Sequence, residues 1–310
     1  MGKSDYMEVL VNPGASSGNG LKIWKNAKKL LDRQGVSYRE HVLSAPGQAE
    51  YITSMLTKDI KEDIHILVIG GDGTMNETIN GVRDFEHTKL SCVRSGSGSD
   101  FAMNMGVDKD CETALMHLIN APEEFELDYG LVTADRYPSR RFVISCGAGY
   151  DADICKEVSE SGLKKAFNRI HLGKLVYLFI GVKQIFTRKK SMALLYIDDD
   201  KPIRIKKLFF VVGMNHMCEG GGVPFCPDAD PTDGIMDVCL VRDMPKWKLL
   251  LAVAMVYSKN HLRFRKINAY RCRRMYLVTK KPQQIHLDGE TPYKASRIRW
   301  DAGGKFRFVK

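Results

Sequence analysis

The most informative stretch of the sequence is a glycine-rich turn that contains a single acidic residue. Residues 70–74 read Gly-Gly-Asp-Gly-Thr and follow directly after the apolar run Ile64–Ile69. This order predicts a buried strand, a tight turn and the start of a helix, and glycine lets backbone N–H groups approach a phosphate closely because it has no Cβ. Asp72 is therefore placed to hold a metal ion or to orient a hydroxyl group. A plain strand-to-helix turn is the alternative interpretation of the two adjacent glycines.

Two more loops of this kind follow predicted strands. Residues 12–20 read Asn-Pro-Gly-Ala-Ser-Ser-Gly-Asn-Gly, and residues 95–100 read Ser-Gly-Ser-Gly-Ser-Asp. In an open parallel sheet, ligands bind beyond the carboxyl ends of the strands. Three loops rich in glycine and serine at one edge of such a sheet predict a site for the phosphates of a nucleotide.

Strand and helix signals alternate over the first 120 residues, which indicates a parallel sheet with helices on both faces. From about residue 126 the pattern changes to the alternating segments that are typical of antiparallel strands. We therefore predict an α/β domain over residues 1–125 and a mostly antiparallel β domain over residues 126–310. The predicted elements of the first domain include the strands Met7–Val11, Tyr38–Leu43, Ile64–Ile69 and Leu90–Val93 and the helices Gln48–Leu56, Thr74–Val82 and Cys111–Ile119.

Composition describes an ordinary globular protein. The 310 residues are 44% hydrophobic and 27% charged, and no stretch approaches the roughly 20 apolar residues that span a bilayer. The eight cysteines show no compact disulfide framework. We therefore expect reduced thiols and a cytoplasmic protein.

Charge is distributed unevenly along the chain. Residues 1–159 contain 17 Lys and Arg against 24 Asp and Glu, whereas residues 160–310 contain 30 against 13. A basic half indicates an anionic partner, either nucleic acid or membrane lipid, with a merely solvated face as the alternative. Two predicted helices there, Leu163–Thr187 and Pro245–Lys259, carry lysines suited to an anionic bilayer. The first of them is equally compatible with a core-facing helix that has a solvated basic side.

Further motifs narrow the interpretation of the glycine-rich turn. They are Asn12-Pro13 with Ser17-Gly18, Asn76-Glu77, Gly96–Ala102, Gly147–Ala152, Asp233-Gly234 and Asp288-Gly289-Glu290. With them the sequence resembles the diacylglycerol kinase catalytic domain, and more closely the small soluble bacterial lipid kinases of that family (YegS-like). The turn alone also occurs in NAD kinases and phosphofructokinases. Ser97 and Ser99 depart from the family's usual Thr and Asn, and the second change removes an amide.

The resemblance implies a role for each motif residue. The implied ATP-binding residues are Asn12, Pro13, Ser17, Gly18, Gly70, Gly71, Gly73, Thr74, Asn76, Glu77, Gly96, Ser97 and Asp100. Asp72 is expected to act through Mg²⁺ at the β- and γ-phosphates, and Glu290 is expected to be the general base. A second, structural Mg²⁺ site is implied at Asp233, completed by backbone carbonyls such as that of Ile235. The alternatives are a helix N-cap for Asp100, a hairpin surface carboxylate for Glu290 and a simple acidic turn for Asp233.

The function implied by the resemblance is transfer of phosphate from ATP to a lipid hydroxyl, most simply from ATP to diacylglycerol. Phosphatidylglycerol and sphingoid bases are alternative acceptors, and NAD kinase is a more distant alternative. A non-enzymatic protein that binds anionic membranes or nucleic acid would also suit the basic half. We expect a peripheral protein that meets its lipid at an anionic membrane surface without binding nucleic acid, and we leave a homodimer open.

Overall fold

The computed structural model describes residues 6–95, 99–160 and 173–310. The chain forms two compact units, one of Met1–Asp128 and Lys305–Lys310, the other of Tyr129–Gly304. The first boundary lies close to the predicted one. The assignment of the last six residues differs from the prediction. The predicted second domain included them, whereas in the structure they belong to the first unit.

The sheet of the first unit is built from parallel pairs. The central strand β1 (Met7–Val11) lies between β2 (Tyr38–Val42) and β3 (Ile64–Gly70), and β4 (Thr88–Arg94) pairs with the other side of β3. Every residue of β1 is buried, as is most of β3. This burial on both faces explains why these strands are continuous apolar runs in the sequence.

The end of the chain adds a further strand to this sheet. Strand β13 (Lys294–Val309) reaches β4, with which Phe308 pairs in parallel register. Phe306 and Phe308 are buried, and the ring of Phe308 lies edge-on to that of Phe101 with the centroids 5.0 Å apart. Alternating apolar residues predict a strand but do not indicate which sheet the strand joins, so the return of residues 305–310 was not predicted.

The helices of the first unit follow the predicted order. They are α1 (Ala15–Gly18), α2 (Gly20–Gln34), α3 (Gln48–Leu56), α4 (Asp72–Gly81), α5 (Asp100–Asn104) and α6 (Cys111–Asn120). Helix α3 has the predicted bounds. Helix α4 begins two residues earlier than predicted, so Asp72 lies in its first turn rather than at the tip of a loop.

The second unit is dominated by antiparallel strands, as predicted. Its strands are β5 (Glu124–Ala134, which begins in the first unit), β6 (Tyr137–Phe142), β7 (Ser145–Gly149), β8 (Ser191–Ile197), β9 (Ile203–Met214), β10 (Met236–Arg242), β11 (Ile267–Cys272), β12 (Arg274–Leu287) and most of β13. Strand β7 lies between β9 and β12, and both pairings are antiparallel. A buried apolar cluster that includes Phe142, Leu195, Leu240 and Trp300 forms the core of this unit.

Three α-helices accompany these strands in the described residues: α7 (Tyr150–Glu160), α8 (Gly173–Thr187) and α9 (Lys246–Val256). Of the predicted helix Leu163–Thr187, the part before residue 173 lies outside the described residues. All eight cysteines are free, as predicted. No helix in the described part of the chain is both long and apolar enough to cross a membrane.

Candidate active site

The first two glycine-rich loops are joined by a hydrogen bond between side chains. The Asn12 Nδ2 group donates to the Oγ1 atom of Thr74 over 2.8 Å, while the Asn12 Oδ1 atom accepts the N–H of Gly14 over 2.9 Å. Thr74 is buried in α4. A Cβ atom on Gly70 would lie 2.5 Å from the Cβ of Thr74, so only glycine fits at the end of β3. Asn12 and Thr74, one from each of the two predicted loops, therefore meet at the carboxyl ends of the adjacent strands β1 and β3.

Close packing also fixes the start of helix α2. A Cβ atom on Gly20 would lie 1.9 Å from the backbone oxygen of Asn12, which makes a side chain at this position impossible without movement of the loop. Pro13 begins the turn, and the predicted loop over residues 14–20 contains the short helix α1. Gly18, at the end of that helix, has φ of +95°, a conformation that favours glycine. The Ser17 side chain and residues Gly96 and Ser97 lie outside what the structure describes.

Asp72 joins the second loop to the third. Its Oδ2 atom accepts the backbone N–H of Asp100 over 2.9 Å, and its Oδ1 atom accepts that of Phe101 over 3.0 Å. These N–H groups open helix α5, where an anionic acceptor is favoured by the exposed donors of the first turn. Ser95 adds a hydrogen bond from its hydroxyl to the backbone oxygen of Gly70. The predicted catalytic aspartate thus has a structural role in shaping the loop that follows β4.

Two residues after the turn, both predicted to contact the nucleotide, form hydrogen bonds that support nearby helices. The carboxylate of Glu77 accepts the backbone N–H groups of Gly47 over 2.8 Å and Ala49 over 3.2 Å, and so caps the start of α3. Asn76 is buried inside α4, where its backbone oxygen accepts the side-chain amide of Asn80 over 2.8 Å. The motif Asn76-Glu77 therefore supports the helices around the site.

Glu290 lies at the end of a tight hairpin between β12 and β13. Asp288 and Gly289 form its two-residue turn, with φ of 47° and 88°, and Leu287 and Glu290 exchange two backbone hydrogen bonds of 2.8 Å. This geometry matches the hairpin turn that Asp-Gly predicts. Glu290 is exposed, and no described residue forms an ion pair or hydrogen bond with its carboxylate. The general-base role implied by the resemblance and the hairpin location are compatible.

Asp288, which the sequence analysis did not assign, anchors this hairpin. Its buried carboxylate accepts three successive backbone N–H groups, those of Val143 over 2.9 Å, Ile144 over 2.8 Å and Ser145 over 3.0 Å. A buried carboxylate needs such donors, because an unpaired charge away from water is costly. Asp288 therefore fixes the turn that presents Glu290. Its partners are more than 140 residues away in the sequence, so no local pattern could reveal them.

A second buried group lies beside the hairpin. The Nε2 atom of His286 lies 3.0 Å from a carboxylate oxygen of Asp151 and 3.9 Å from one of Glu219, whose carboxylate also accepts the hydroxyl of Ser145. Burial lowers the pKa of His286, but the nearby carboxylates of Glu219 and Asp151 outweigh it and raise that pKa to about 9. A Cβ atom on Gly147 would lie 2.0 Å from Asp151, which explains the glycine. The motif Gly147–Ala152 thus serves this cluster.

Asp233 lies in an acidic turn and contacts Arg271. Its Oδ2 atom accepts a hydrogen bond from the guanidinium of Arg271, and its Oδ1 atom accepts the N–H of Ile235 over 2.9 Å. Arg271 also lies 3.8 Å from Asp237, where burial and nearby aspartates raise the pKa of the carboxyl to about 6 despite the guanidinium. The backbone N–H of Ile235 thus helps to close this turn. An arginine thus supplies a positive charge beside Asp233, and the structural Mg²⁺ site implied by the resemblance stays a prediction.

The geometry defines the class of protein: an α/β unit with three joined phosphate-type loops, and a β unit that presents a carboxylate on a hairpin. The family profile described as "Diacylglycerol kinase catalytic domain" matches residues 7–130. The profile described as "YegS C-terminal NAD kinase beta sandwich-like domain" matches residues 144–297. The chain belongs to the diacylglycerol kinase family, and it is a lipid-kinase-type phosphotransferase. The family implies the use of ATP.

Individual proteins agree with this assignment. The chain is 27% identical over 292 residues to "Putative lipid kinase YtlR" of Bacillus subtilis (strain 168), covering 92% of this chain and 94% of the relative. It is 27% identical to "Sphingoid long chain base kinase 4" of Schizosaccharomyces pombe, and the match covers 91% of this chain and 70% of that relative. The fold matches the "Crystal structure of a putative diacylglycerol kinase from Bacillus anthracis str. Sterne" with a TM-score of 0.76 and 17% sequence identity. The match covers 99% of this chain and 96% of that one.

Replacing Asp288 with Asn is expected to destabilise the second unit by about 1–3 kcal/mol, because the new amide group faces buried N–H donors. Urea denaturation measures this change. Asp198→Asn is the matched control, since the exposed carboxylate of Asp198 also accepts backbone N–H groups, those of Arg273 and Arg274. An equal loss of stability in both variants would contradict the role of Asp288 as a buried anchor.

The raised pKa of His286 also predicts how stability depends on pH. The folded state binds the proton more tightly than the unfolded chain, whose histidines titrate near 6.5. The stabilisation is therefore fully present below about pH 6.5 and is lost as the pH rises through about 9. Urea midpoints across this range should show the wild type losing its advantage over His286→Gln.

His261→Gln is the control for this titration. Burial lowers the pKa of His261, so that side chain is neutral over the upper part of the range in both folded and unfolded states. The difference between wild type and His261→Gln should stay constant above about pH 7. A constant difference for His286→Gln as well would disprove the charged His286 cluster.

Proposed function

We propose that this chain transfers the γ-phosphate of ATP to a lipid hydroxyl, with diacylglycerol as the acceptor. The observation that carries the proposal is the hydrogen-bonded assembly of the three loops through Asn12, Thr74 and Asp72. Loops fixed in this way hold backbone donors in place for phosphate oxygens, and phosphoryl transfer depends mainly on such positioning and on charge neutralisation. The profile that matches the first unit supports diacylglycerol as the first acceptor to test.

The donor atoms at Asp72 fit a magnesium ion. Asp72 supplies two carboxylate oxygens, and Mg²⁺ prefers carboxylate and water oxygens. We propose that Asp72 holds the nucleotide's Mg²⁺, aided by the buried Asp100 of the same unit. When bound, the ion neutralises negative charge on the β- and γ-phosphates. The His286 cluster is a poorer match, because an imidazole is not a preferred ligand of Mg²⁺.

Glu290 is the proposed general base. Its exposed carboxylate has lone pairs available for a proton, and its backbone is held by the hairpin that Asp288 anchors. In the proposed reaction Glu290 takes the proton of the lipid hydroxyl. The hydroxyl oxygen forms the new bond to the γ-phosphorus, and the bond from that phosphorus to the bridging oxygen breaks to release ADP.

A sphingoid base is the second candidate acceptor, favoured by the relative that is named a sphingoid long chain base kinase. Phosphatidylglycerol and NAD belong in the same test as acceptors that the sequence left open. We further propose that the enzyme works in the cytoplasm and meets its lipid at an anionic membrane surface.

The experiment presents the purified protein with radiolabelled ATP, Mg²⁺ and mixed micelles containing diacylglycerol, phosphatidylglycerol or a sphingoid base, with NAD as a soluble acceptor. Label is expected in diacylglycerol. Glu290→Gln should lower kcat by about 10²- to 10⁴-fold because the proton acceptor is removed.

Glu126→Gln is the matched control, since Glu126 is an exposed glutamate outside the proposed site and should keep wild-type kcat. Label in the sphingoid base would identify that lipid as the acceptor in place of diacylglycerol and would leave the proposed reaction class unchanged. Label in NAD alone, or equal activity in Glu290→Gln and Glu126→Gln, would refute the proposed mechanism.

A further inference from the structure

Helix α8 has a buried side and an exposed apolar side. Ile180 and Ile185 are buried, with Ile185 packed in the core next to α9. Phe179, Val182 and Phe186 lie at intervals of three and four residues on another side, and the two phenylalanines are 67% and 51% exposed. Single exposed apolar residues are ordinary on protein surfaces. A stripe of large rings at helical spacing is unusual on a protein surface. It indicates a surface that contacts an apolar partner.

Helix α9 has the same division. Leu249, Ala252 and Val256 are buried, whereas Trp247 and Leu251, four residues apart, are 63% and 47% exposed. Tryptophan is an unusual residue to leave in water, because its ring is large and apolar while its N–H prefers a polar neighbour. A lipid interface satisfies both parts of the ring, which is why tryptophan is enriched at the boundary between lipid and water.

Lysines join the two exposed sides. Helices α8 and α9 contact each other, and the amino group of Lys246 donates to the backbone oxygen of Phe186 over 2.9 Å while lying 5.5 Å from the centre of its ring. The amino group of Lys248 lies 5.2 Å from the centre of the Trp247 ring. We call this region the aromatic–lysine surface. Its members are Phe179, Val182, Phe186, Lys246, Trp247, Lys248 and Leu251.

Further basic groups lie near this surface. Burial lowers the pKa of Lys190, and the nearby ammonium groups of Lys207 and Lys246 lower it further. Acidic groups also lie near these lysines. Asp243 lies near Lys190, and Glu157 is already paired with Lys183 at 2.5 Å. An excess of positive charge beside exposed rings is the pattern of a protein that rests on an anionic membrane.

We propose that the aromatic–lysine surface docks the enzyme on an anionic phospholipid membrane, with the rings of Phe179, Phe186 and Trp247 entering the interface and the lysines contacting headgroups. The docking proposal rests on the proposed function, because a lipid acceptor resides in a membrane. It explains why α8 and α9 expose rings that their buried sides do not need. It also gives part of the positive charge in this half of the sequence a function at a defined surface.

The test measures co-sedimentation with vesicles of phosphatidylcholine mixed equally with phosphatidylglycerol, and with vesicles of phosphatidylcholine alone. Wild type should bind the mixed vesicles and release them at high salt. Lys248→Glu should weaken binding by at least fivefold, since each basic residue near an anionic surface contributes about this factor. Trp247→Ala should weaken binding by about tenfold or more, because the ring buries a large apolar area.

Two exposed residues of the first unit are the matched controls. Tyr51 is 65% exposed on α3, and Lys109 is exposed between α5 and α6. Tyr51→Ala and Lys109→Glu should bind mixed vesicles like wild type. Fluorescence gives an independent reading, because Trp24 and Trp300 are buried and a blue shift on binding therefore reports Trp247.

A kinase assay with a short-chain diacylglycerol in solution separates docking from catalysis. Trp247→Ala and Lys248→Glu should keep wild-type activity there and lose activity on vesicles. Vesicle binding through these residues without activity on any lipid would refute the proposed function and leave the docking surface standing. Wild-type binding by both variants, equal losses in the controls, or equal binding to neutral vesicles would overturn the docking proposal.

Discussion

The candidate site depends on one interaction above others: the carboxylate of Asp72 accepts the first two N–H groups of helix α5. Without an acceptor, these donors at the helix start are unsatisfied, and the loop after β4 loses two of the hydrogen bonds that link it to the turn after β3. The hydrogen bond from Asn12 to Thr74 then attaches the first loop to the same assembly. The residue types that resemble a nucleotide site are thus, in large part, residues that hold the loops together.

The same physical device recurs at other motifs. Glu77 accepts the N–H groups that open α3, and in the second unit Asp288 accepts three N–H groups before β7. A carboxylate has several acceptor positions and can satisfy donors from a distant segment, whereas an apolar residue cannot. These acidic motif residues therefore hold distant segments together, and a substitution at Asp72, for which we also propose a chemical role, is expected to change both stability and activity.

Local patterns predicted much of the architecture. Apolar runs identified strands β1 and β3, helix α3 has the predicted bounds, and the change to alternating segments identified the antiparallel unit. Long-range partners were not predictable. The contact of Asp233 with Arg271 spans 38 residues, and the approach of His286 to Asp151 spans 135. Sequence spacing gives the residue types of such pairs but not their proximity, so the contact of Asp233 with Arg271 was not predicted, and the metal role expected for Asp233 stays a prediction.

Hydrogen exchange at the start of α5 tests the central role of Asp72 most directly. The measurement compares amide exchange of residues 99–104 in wild type and in Asp72→Asn, with ATP affinity determined alongside. The loop assembly described above predicts faster exchange at Asp100 and Phe101 together with weaker ATP binding, because the amide has one acceptor where the carboxylate has two. Unchanged exchange with a loss confined to Mg²⁺-dependent activity would show that Asp72 acts only through the metal ion, and would contradict this account.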